Sequence, residues 1–308
     1  MTVISSASTR GRASTGDTKP ERIAAIDVGS NSIRLSIAEY DRNRGLRILD
    51  EVKEQPRLAA GIASTGALDE HAMDAAVAAL KRMREVADRR GVTRIRAVAT
   101  SAVREAENGR LFVKRVRRET GLALEVIDGD AEATLSYRSV AHHFSLSGTR
   151  TLIADIGGGS LELIGVVNGL VEMTDSLPRG AVRLTEAWLD SDRPTARAVS
   201  DLRRWVRKRL KRAVSGRDWN AAAVIGSGGT FTNLGRMIRA RRGFDIGDAV
   251  HGETLPTREI EQILEWLTTK TSAERAAIPG LNPQRADIIL AGLAVTAELL
   301  DLTGSPSL

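Results

Sequence analysis

Two short loops, each built around an aspartate and several small residues, carry the strongest chemical signal in the sequence. The first reads Asp27-Val28-Gly29-Ser30-Asn31-Ser32 and the second reads Asp155-Ile156-Gly157-Gly158-Gly159-Ser160. Glycines let backbone N–H groups approach an anion, hydroxyl side chains donate further hydrogen bonds, and an aspartate can hold a divalent cation. Two such loops facing each other would form a clamp for a chain of phosphates.

The segments that flank each loop predict the strands that position it. Short apolar runs precede the loops at residues 23–26 and 152–154, and others follow them at residues 33–38 and 161–167. Each loop is therefore predicted to be the tight turn of a hairpin, with its aspartate at the bend. Alternating strand and helix patterns continue after both hairpins, which indicates a duplicated α/β unit with mixed sheets. Beyond residue 243 the pattern is helical.

The composition limits the chemistry. The 308 residues have room for two domains and carry a net charge of +6, with 38 arginines and seven lysines. Arginine forks suit phosphate oxygens, although a general compositional bias explains many of these arginines equally well. Cysteine is absent, which excludes thiolate catalysis and cysteine-ligated metals, and the four histidines lack metal-ligand spacing.

The same features indicate a compartment. The lack of cysteine and of any long apolar run favours a cytoplasmic protein without a membrane span. Residues 1–20 are mostly Ser, Thr, Gly and Arg and are predicted to form a disordered tail.

Seven motifs in a fixed order carry a family resemblance. They are AIDVGSNS (25–32), ATSAVR (99–104), GDAEA (129–133), DIGGGSLE (155–162), LPRGAVRLTE (177–186), GSGGT (226–230) and IPGLNPQRAD (278–287). On these residues the chain resembles the exopolyphosphatase and guanosine pentaphosphate phosphohydrolase (Ppx/GppA) family of the actin, heat-shock ATPase and sugar-kinase superfamily. The resemblance implies an α/β fold of two actin-like (ribonuclease H-like) domains, residues 21–137 and 138–308, with mixed sheets around an interdomain cleft.

One departure from the family pattern affects the second domain. Members of the family usually continue past the last helix into a strand with the pattern Ser-Asp-x-Gly-Leu-Arg-Glu-Gly, which this sequence does not contain. We therefore expect the second sheet to lack an edge strand.

The resemblance also implies the roles of individual residues. Glu132 would orient and deprotonate the attacking water, and Arg104 would contact the terminal phosphate. Asp27, Asp155 and Glu162 would hold the metal ion. Phosphate binding would fall to Ser30, Asn31, Ser32, Gly157, Gly158, Gly159, Ser160, Gly228, Gly229 and Thr230.

Two of these carboxylates have ordinary structural explanations as well. Glu132 stands in the first turn of a predicted helix, where the helix dipole favours any glutamate. Glu162 lies on a predicted strand, where it would otherwise be a surface carboxylate.

The function expected from the resemblance is a metal-dependent exopolyphosphatase that releases terminal orthophosphate, with Mg²⁺ or another divalent cation as cofactor. The alternatives are a guanosine pentaphosphate (pppGpp) 5′-phosphohydrolase and a non-catalytic polyphosphate or nucleotide sensor. The water-activating motif at 129–133 argues against an ATP-dependent kinase. Nucleic acid is not an expected partner because no recognition-helix module is evident, and a homodimer is a candidate assembly.

A basic stretch between Arg203 and Arg212 holds seven cationic residues and no acidic one, with apolar residues on the opposing stripe. This helix is either a track for long polyphosphate or a solvated face.

Overall fold

The computed structural model describes residues 20–43, 45–189, 191–214, 219, 223–247 and 250–308. The predicted tail lies outside these residues except for Pro20. The strands are β1 (Glu21–Val28), β2 (Ile33–Asp41), β3 (Gly45–Glu54), β4 (Arg94–Ala99), β5 (Leu124–Val126), β6 (Arg150–Ile156), β7 (Leu161–Val167), β8 (Leu170–Leu177) and β9 (Ala223–Ser227). The helices are α1 (Ile62–Thr65), α2 (Glu70–Arg89), α3 (Ser101–Glu105), α4 (Gly109–Thr120), α5 (Gly129–His143), α6 (Ala181–Trp188), α7 (Ala196–Ala213), α8 (Gly229–Arg241), α9 (Thr257–Thr268), α10 (Ser272–Ala276) and α11 (Ile289–Thr303). A 3₁₀ turn, η1 (Pro283–Arg285), precedes α11.

The strands form two mixed sheets of the same design. The first has the order β3-β2-β1-β4-β5 and the second has the order β8-β7-β6-β9. In each, an antiparallel three-stranded meander is extended by parallel pairing, β1 with β4 and β6 with β9. The predicted duplication is therefore present in the strand order. Among the described residues no strand pairs with the outer edge of β9.

Burial explains which strands are central. Nearly all residues of β6 and β7 are buried, because helices cover both faces of the second sheet, whereas β3 and β8 are exposed at the edges. The long helix α2 is capped by the Asp69 side chain, which accepts a hydrogen bond from the Ala72 N–H, and it buries Met73, Leu80 and Met83. Almost every residue of α11 is buried, and it packs against α7 and α9.

The helix α5 connects the two halves. It begins where the Asp128 side chain accepts a hydrogen bond from the Ala131 N–H, and it packs along β6, β7 and β8 of the second sheet. The proposed division between residues 137 and 138 falls within this helix and stays a prediction. In the part of the chain that the structure describes, no helix combines the length and apolarity that a bilayer span requires.

Candidate active site

The two glycine-rich loops adopt the same turn and face each other. The N–H of Gly29 donates to the carbonyl of Ser32 at 3.1 Å, and the N–H of Gly157 donates to the carbonyl of Ser160 at 3.0 Å. A Cβ atom on Gly158 would lie 2.9 Å from Cβ of Asn31, so only glycine permits this approach. The two loops therefore face each other, as the sequence predicts.

Neighbouring segments hold the carbonyls of each loop from behind. The first turn of α6 and Gly180 donate N–H groups to the carbonyls of Gly157, Gly158 and Gly159 at 2.9–3.1 Å. Because the N–H of a trans peptide points opposite to its carbonyl, the following N–H groups are directed away from α6. The first loop is supported in the same way at its Ser30 and Asn31 carbonyls, which accept from Ala59 and Arg57.

The loops border a cleft of about 300 Å³ that collects most of the predicted site residues. The predicted residues that line it are Asp27, Ser30, Asn31, Ser32, Glu132, Asp155, Gly157, Gly158, Gly159, Ser160, Glu162, Gly228 and Gly229. Thr230 does not line the cleft. It is fully buried at the start of α8, close against Gly292 of α11, so its placement does not support phosphate contact.

Four carboxylates meet in this cleft, and their pKa values reflect the crowding. Desolvation, followed by the neighbouring Glu132, raises the pKa of Glu162 to about 8, although Ser160 and Ser176 donate hydrogen bonds to it. Asp27 is open to the cleft, yet the surrounding protein and Asp155 raise its pKa to about 6 against the opposing effect of Arg34. Burial also raises the pKa of Asp155. Burial and mutual repulsion therefore shift the pKa values of these carboxyl groups upward.

Glu132 is tied to the residue expected to contact phosphate. Arg104 lies just outside the cleft lining, where its Nη1 donates to Glu132 Oε2 at 3.1 Å and to the carbonyl of Ile127 at 2.9 Å. Burial raises the pKa of Glu132, and the Arg104 hydrogen bond and charge oppose that rise. The arrangement places a half-buried carboxylate and a guanidinium side by side at the start of α5.

The duplicated hairpins carry opposite charges at equivalent positions. Asp27 pairs across its hairpin with Arg34, and Asp155 pairs with Glu162, each seven residues after its aspartate. Arg34 lines the cleft together with Arg285 from η1. On β3, Lys53 lies opposite Arg34, and desolvation with repulsion from Arg285, Arg34 and Arg236 lowers its pKa to about 8.

These cations were not among the predicted site residues. The register of the two hairpins would have identified Arg34, because it occupies the position of Glu162 in the first repeat. Nothing local in the sequence marks Lys53 or Arg285 as its neighbours. Ser136 was also missed; it donates to Asp155 Oδ2 at 2.6 Å from one turn further along α5.

Comparison with known proteins settles the family. The model of the Ppx/GppA phosphatase family matches residues 36–303. The chain belongs to the Ppx/GppA phosphatase family. The predicted family membership and the predicted enzyme class, a phosphoanhydride hydrolase, are thereby confirmed.

Relatives of the Ppx/GppA chain include proteins named for exopolyphosphatase activity. It is 33% identical over 279 residues to exopolyphosphatase 1 of Mycobacterium tuberculosis, covering 90% of this chain and 80% of the relative. It is 34% identical over 287 residues to exopolyphosphatase 2 of the same organism, covering 90% and 89%.

Solved structures of Ppx/GppA relatives share the architecture. An exopolyphosphatase from Cytophaga hutchinsonii is 28% identical with a TM-score of 0.85, covering 93% of this chain and 92% of that one. The Aquifex aeolicus family member is 31% identical with a TM-score of 0.77, covering 94% and 92%. The predicted fold class is confirmed.

The basic helix α7 of this Ppx/GppA protein uses part of its charge internally. Arg203 binds Glu298 and Glu261 at 2.7–2.8 Å, and Arg207 also binds Glu298, whose side chain is only 6% exposed. Arg209 lies 4.4 Å from the ring of Trp205. At Arg203 and Arg207, the face predicted as a polyphosphate track or a solvated surface is a structural ion-pair network.

Proposed function

We propose that the protein is a metal-dependent exopolyphosphatase that hydrolyses the terminal phosphoanhydride bond of inorganic polyphosphate. The observation that carries this proposal is that one cleft holds an acidic group and a cationic group. Asp27, Asp155, Glu132 and Glu162 line it together with Arg34 and Arg285, and Lys53 lies beside Arg34 on β3. Hydrolysis of a polyanion requires both a site for water and cation and a site that neutralises the remaining chain.

The donor set of the acidic part fits a hard divalent cation. Although four carboxylates line the cleft, no three carboxylates or imidazoles among the described residues are arranged so that they could hold a metal ion by themselves. Mg²⁺ commonly takes one or two carboxylates and completes its shell with water and substrate phosphate oxygens. Asp27 and Asp155, whose pKa values are raised, are the residues that would hold it, with Glu162 nearby. When bound, the cation would neutralise charge on the phosphoryl group.

Glu132 would orient the water and accept its proton at a carboxylate oxygen as the water oxygen attacks the terminal phosphorus. The P–O bond to the next phosphate then breaks, and the shortened chain leaves. Arg104 holds Glu132 at 3.1 Å and so limits its rotation. N–H groups of the second loop would bind the equatorial oxygens of the reacting phosphoryl group. The carbonyls of the same loop accept hydrogen bonds from Gly180 and α6, which fixes the orientation of its peptide groups.

The cationic part would bind the phosphates behind the reacting one. Nε of Arg285 and Nδ2 of Asn31 are buried and lack hydrogen-bond partners among the described residues, and both residues line the cleft. Buried donors without partners are costly, and phosphate oxygens would satisfy them.

The proposal is tested by measuring the orthophosphate released in the presence of Mg²⁺ from each of three substrates: tripolyphosphate, long polyphosphate and guanosine pentaphosphate. We expect release from both polyphosphates and weak competition by the guanosine compound. A strong preference for guanosine pentaphosphate would assign the other activity of the family. Binding without any metal-dependent release would support the sensor alternative.

A further inference from the structure

The segment of residues 55–59, here called the interdomain strap, links the first phosphate loop to the turn that carries Arg285. It follows β3 directly and precedes α1. The N–H of Ala59 donates to the Ser30 carbonyl at 2.8 Å, and the N–H of Arg57 donates to the Asn31 carbonyl at 3.2 Å. The strap therefore supports the first loop as α6 supports the second.

The side chains of the strap reach the other domain. Arg57 makes a two-pronged ion pair with Asp287, at 2.5 and 3.3 Å, and its Nη2 also donates to the Gln284 carbonyl at 3.1 Å. Gln55 Nε2 donates both to that carbonyl at 2.8 Å and to Asn31 Oδ1 at 3.1 Å. These contacts hold the residues on both sides of Arg285.

The backbone of Arg57 adopts an uncommon conformation that these contacts can stabilise. Its φ is +55°, in the left-handed region that non-glycine residues rarely occupy. Such a conformation persists where surrounding contacts determine it, and it often accompanies a functional constraint. Here the same residue supplies an N–H to one domain and a guanidinium to the other.

We propose that the strap positions Arg285 against the first phosphate loop, so that Arg285 Nε and Asn31 Nδ2 bind the same stretch of substrate phosphates. Arg57 is then a positioning residue that acts through Arg285. This inference rests on the proposed function. It adds that polyphosphate affinity depends on a contact between the domains outside the cleft lining.

Tripolyphosphate binding measured by calorimetry with Mg²⁺ tests this in a Glu132→Gln background, where turnover does not interfere. Arg57→Ala should weaken binding about tenfold, as expected when a charge-assisted contact is lost. In a chain that also carries Arg285→Ala, the same Arg57 substitution should change the affinity by less than about twofold. Equal effects in both backgrounds, or no effect of Arg57→Ala with Arg285 present, would overturn the proposal.

Two further variants separate the strap from general stability. Arg57→Gly accepts the left-handed conformation and should weaken binding as Arg57→Ala does, while folding at least as well. Arg90→Ala removes a two-pronged pair with Asp50 inside the first domain and should leave affinity unchanged. In active enzyme, Arg57→Ala should raise KM for tripolyphosphate far more than it lowers kcat. If the parent chain itself binds no tripolyphosphate, the proposed function fails rather than the role of the strap.

Discussion

Replacement of Glu162 by glutamine should make the protein more stable and less active. The Glu162 side chain is buried on β7, and its pKa is raised from 4.5 to about 8 by desolvation and by Glu132. Between these two pH values the folded state keeps a proton that the unfolded state releases. The free energy of unfolding therefore falls as the pH rises from 4.5 to 8, and Glu162→Gln cannot lose stability in this way.

The magnitude follows from the same pKa. At 1.36 kcal/mol per pH unit, and with both states partly titrated at the two ends of the range, Glu162 titrating alone would lower the free energy of unfolding by about 3.5 kcal/mol between pH 5 and pH 8. Because Glu132 shares the same proton equilibrium, we expect about half of this, about 2 kcal/mol. The glutamine can keep both serine partners, since the Ser160 and Ser176 hydroxyls can either donate or accept.

Urea unfolding at pH 5 and pH 8, without metal or phosphate, measures this difference. All four tryptophans lie at or beyond residue 188, so their fluorescence reports on the half that contains Glu162. The matched control is Glu51→Gln, a strand glutamate that accepts a hydrogen bond from cross-strand Ser36 in exposed surroundings. It should behave like the parent. If the parent and Glu162→Gln lose the same stability between pH 5 and pH 8, desolvation of Glu162 is not the cause.

Three other predictions follow from the site and its surroundings. Glu132→Gln should lower kcat at least about a hundredfold with little change in tripolyphosphate affinity, and near-parental turnover would exclude Glu132 as the base. Parental affinity for tripolyphosphate should fall as the pH rises through about 8, where Lys53 loses its charge and Glu162 gains one, and the fall should be clearly smaller in Lys53→Met; a fall of parental size in Lys53→Met would exclude Lys53 as a cause. Arg203→Ala should lower the free energy of unfolding by about 3 kcal/mol, because it leaves the Glu298 carboxylate buried with fewer partners, and adding Glu298→Gln should recover part of the loss in urea unfolding. An unchanged unfolding free energy would show that the network on α7 carries no stability.

Local patterns in the sequence predict the hairpins and most of the elements that hold the cleft. Short apolar runs flank both glycine-rich turns, and tertiary contacts do not change the strand structure that these runs favour. The bounds predicted for β1, β2, β6 and β7 are therefore close to the observed ones. Within the helical pattern expected beyond residue 243, residues 283–285 instead form the 3₁₀ turn η1, and α11 starts at Ile289. That turn presents Arg285 to the cleft.

Contacts between distant segments are what the sequence could not supply. The sequence predicts that Arg104 contacts phosphate. It does not predict the hydrogen bond from Arg104 to Glu132, because that contact depends on how α3 and α5 pack. From the sequence, the basic stretch on α7 is predicted to be a cationic face. Its acidic partners, Glu261 and Glu298, are distant in the sequence, so the ion pairs cannot be predicted from the local pattern. The convergence of Lys53 with Arg285 has the same origin, since it requires the two halves of the chain to meet.

The opposite charges of Arg34 and Glu162 at equivalent hairpin positions give the cleft a direction. An interior stretch of a polyphosphate chain would have to place phosphates beside the carboxylates on both sides of the reacting bond. A chain end would avoid this, because only its last unit would need to reach the carboxylates while the rest would lie beside the cations. After each cleavage the shortened chain can advance by one unit without turning around. A single difference between two copies of one hairpin would thus favour trimming from the end over cutting in the middle, and would let one bound chain be shortened repeatedly.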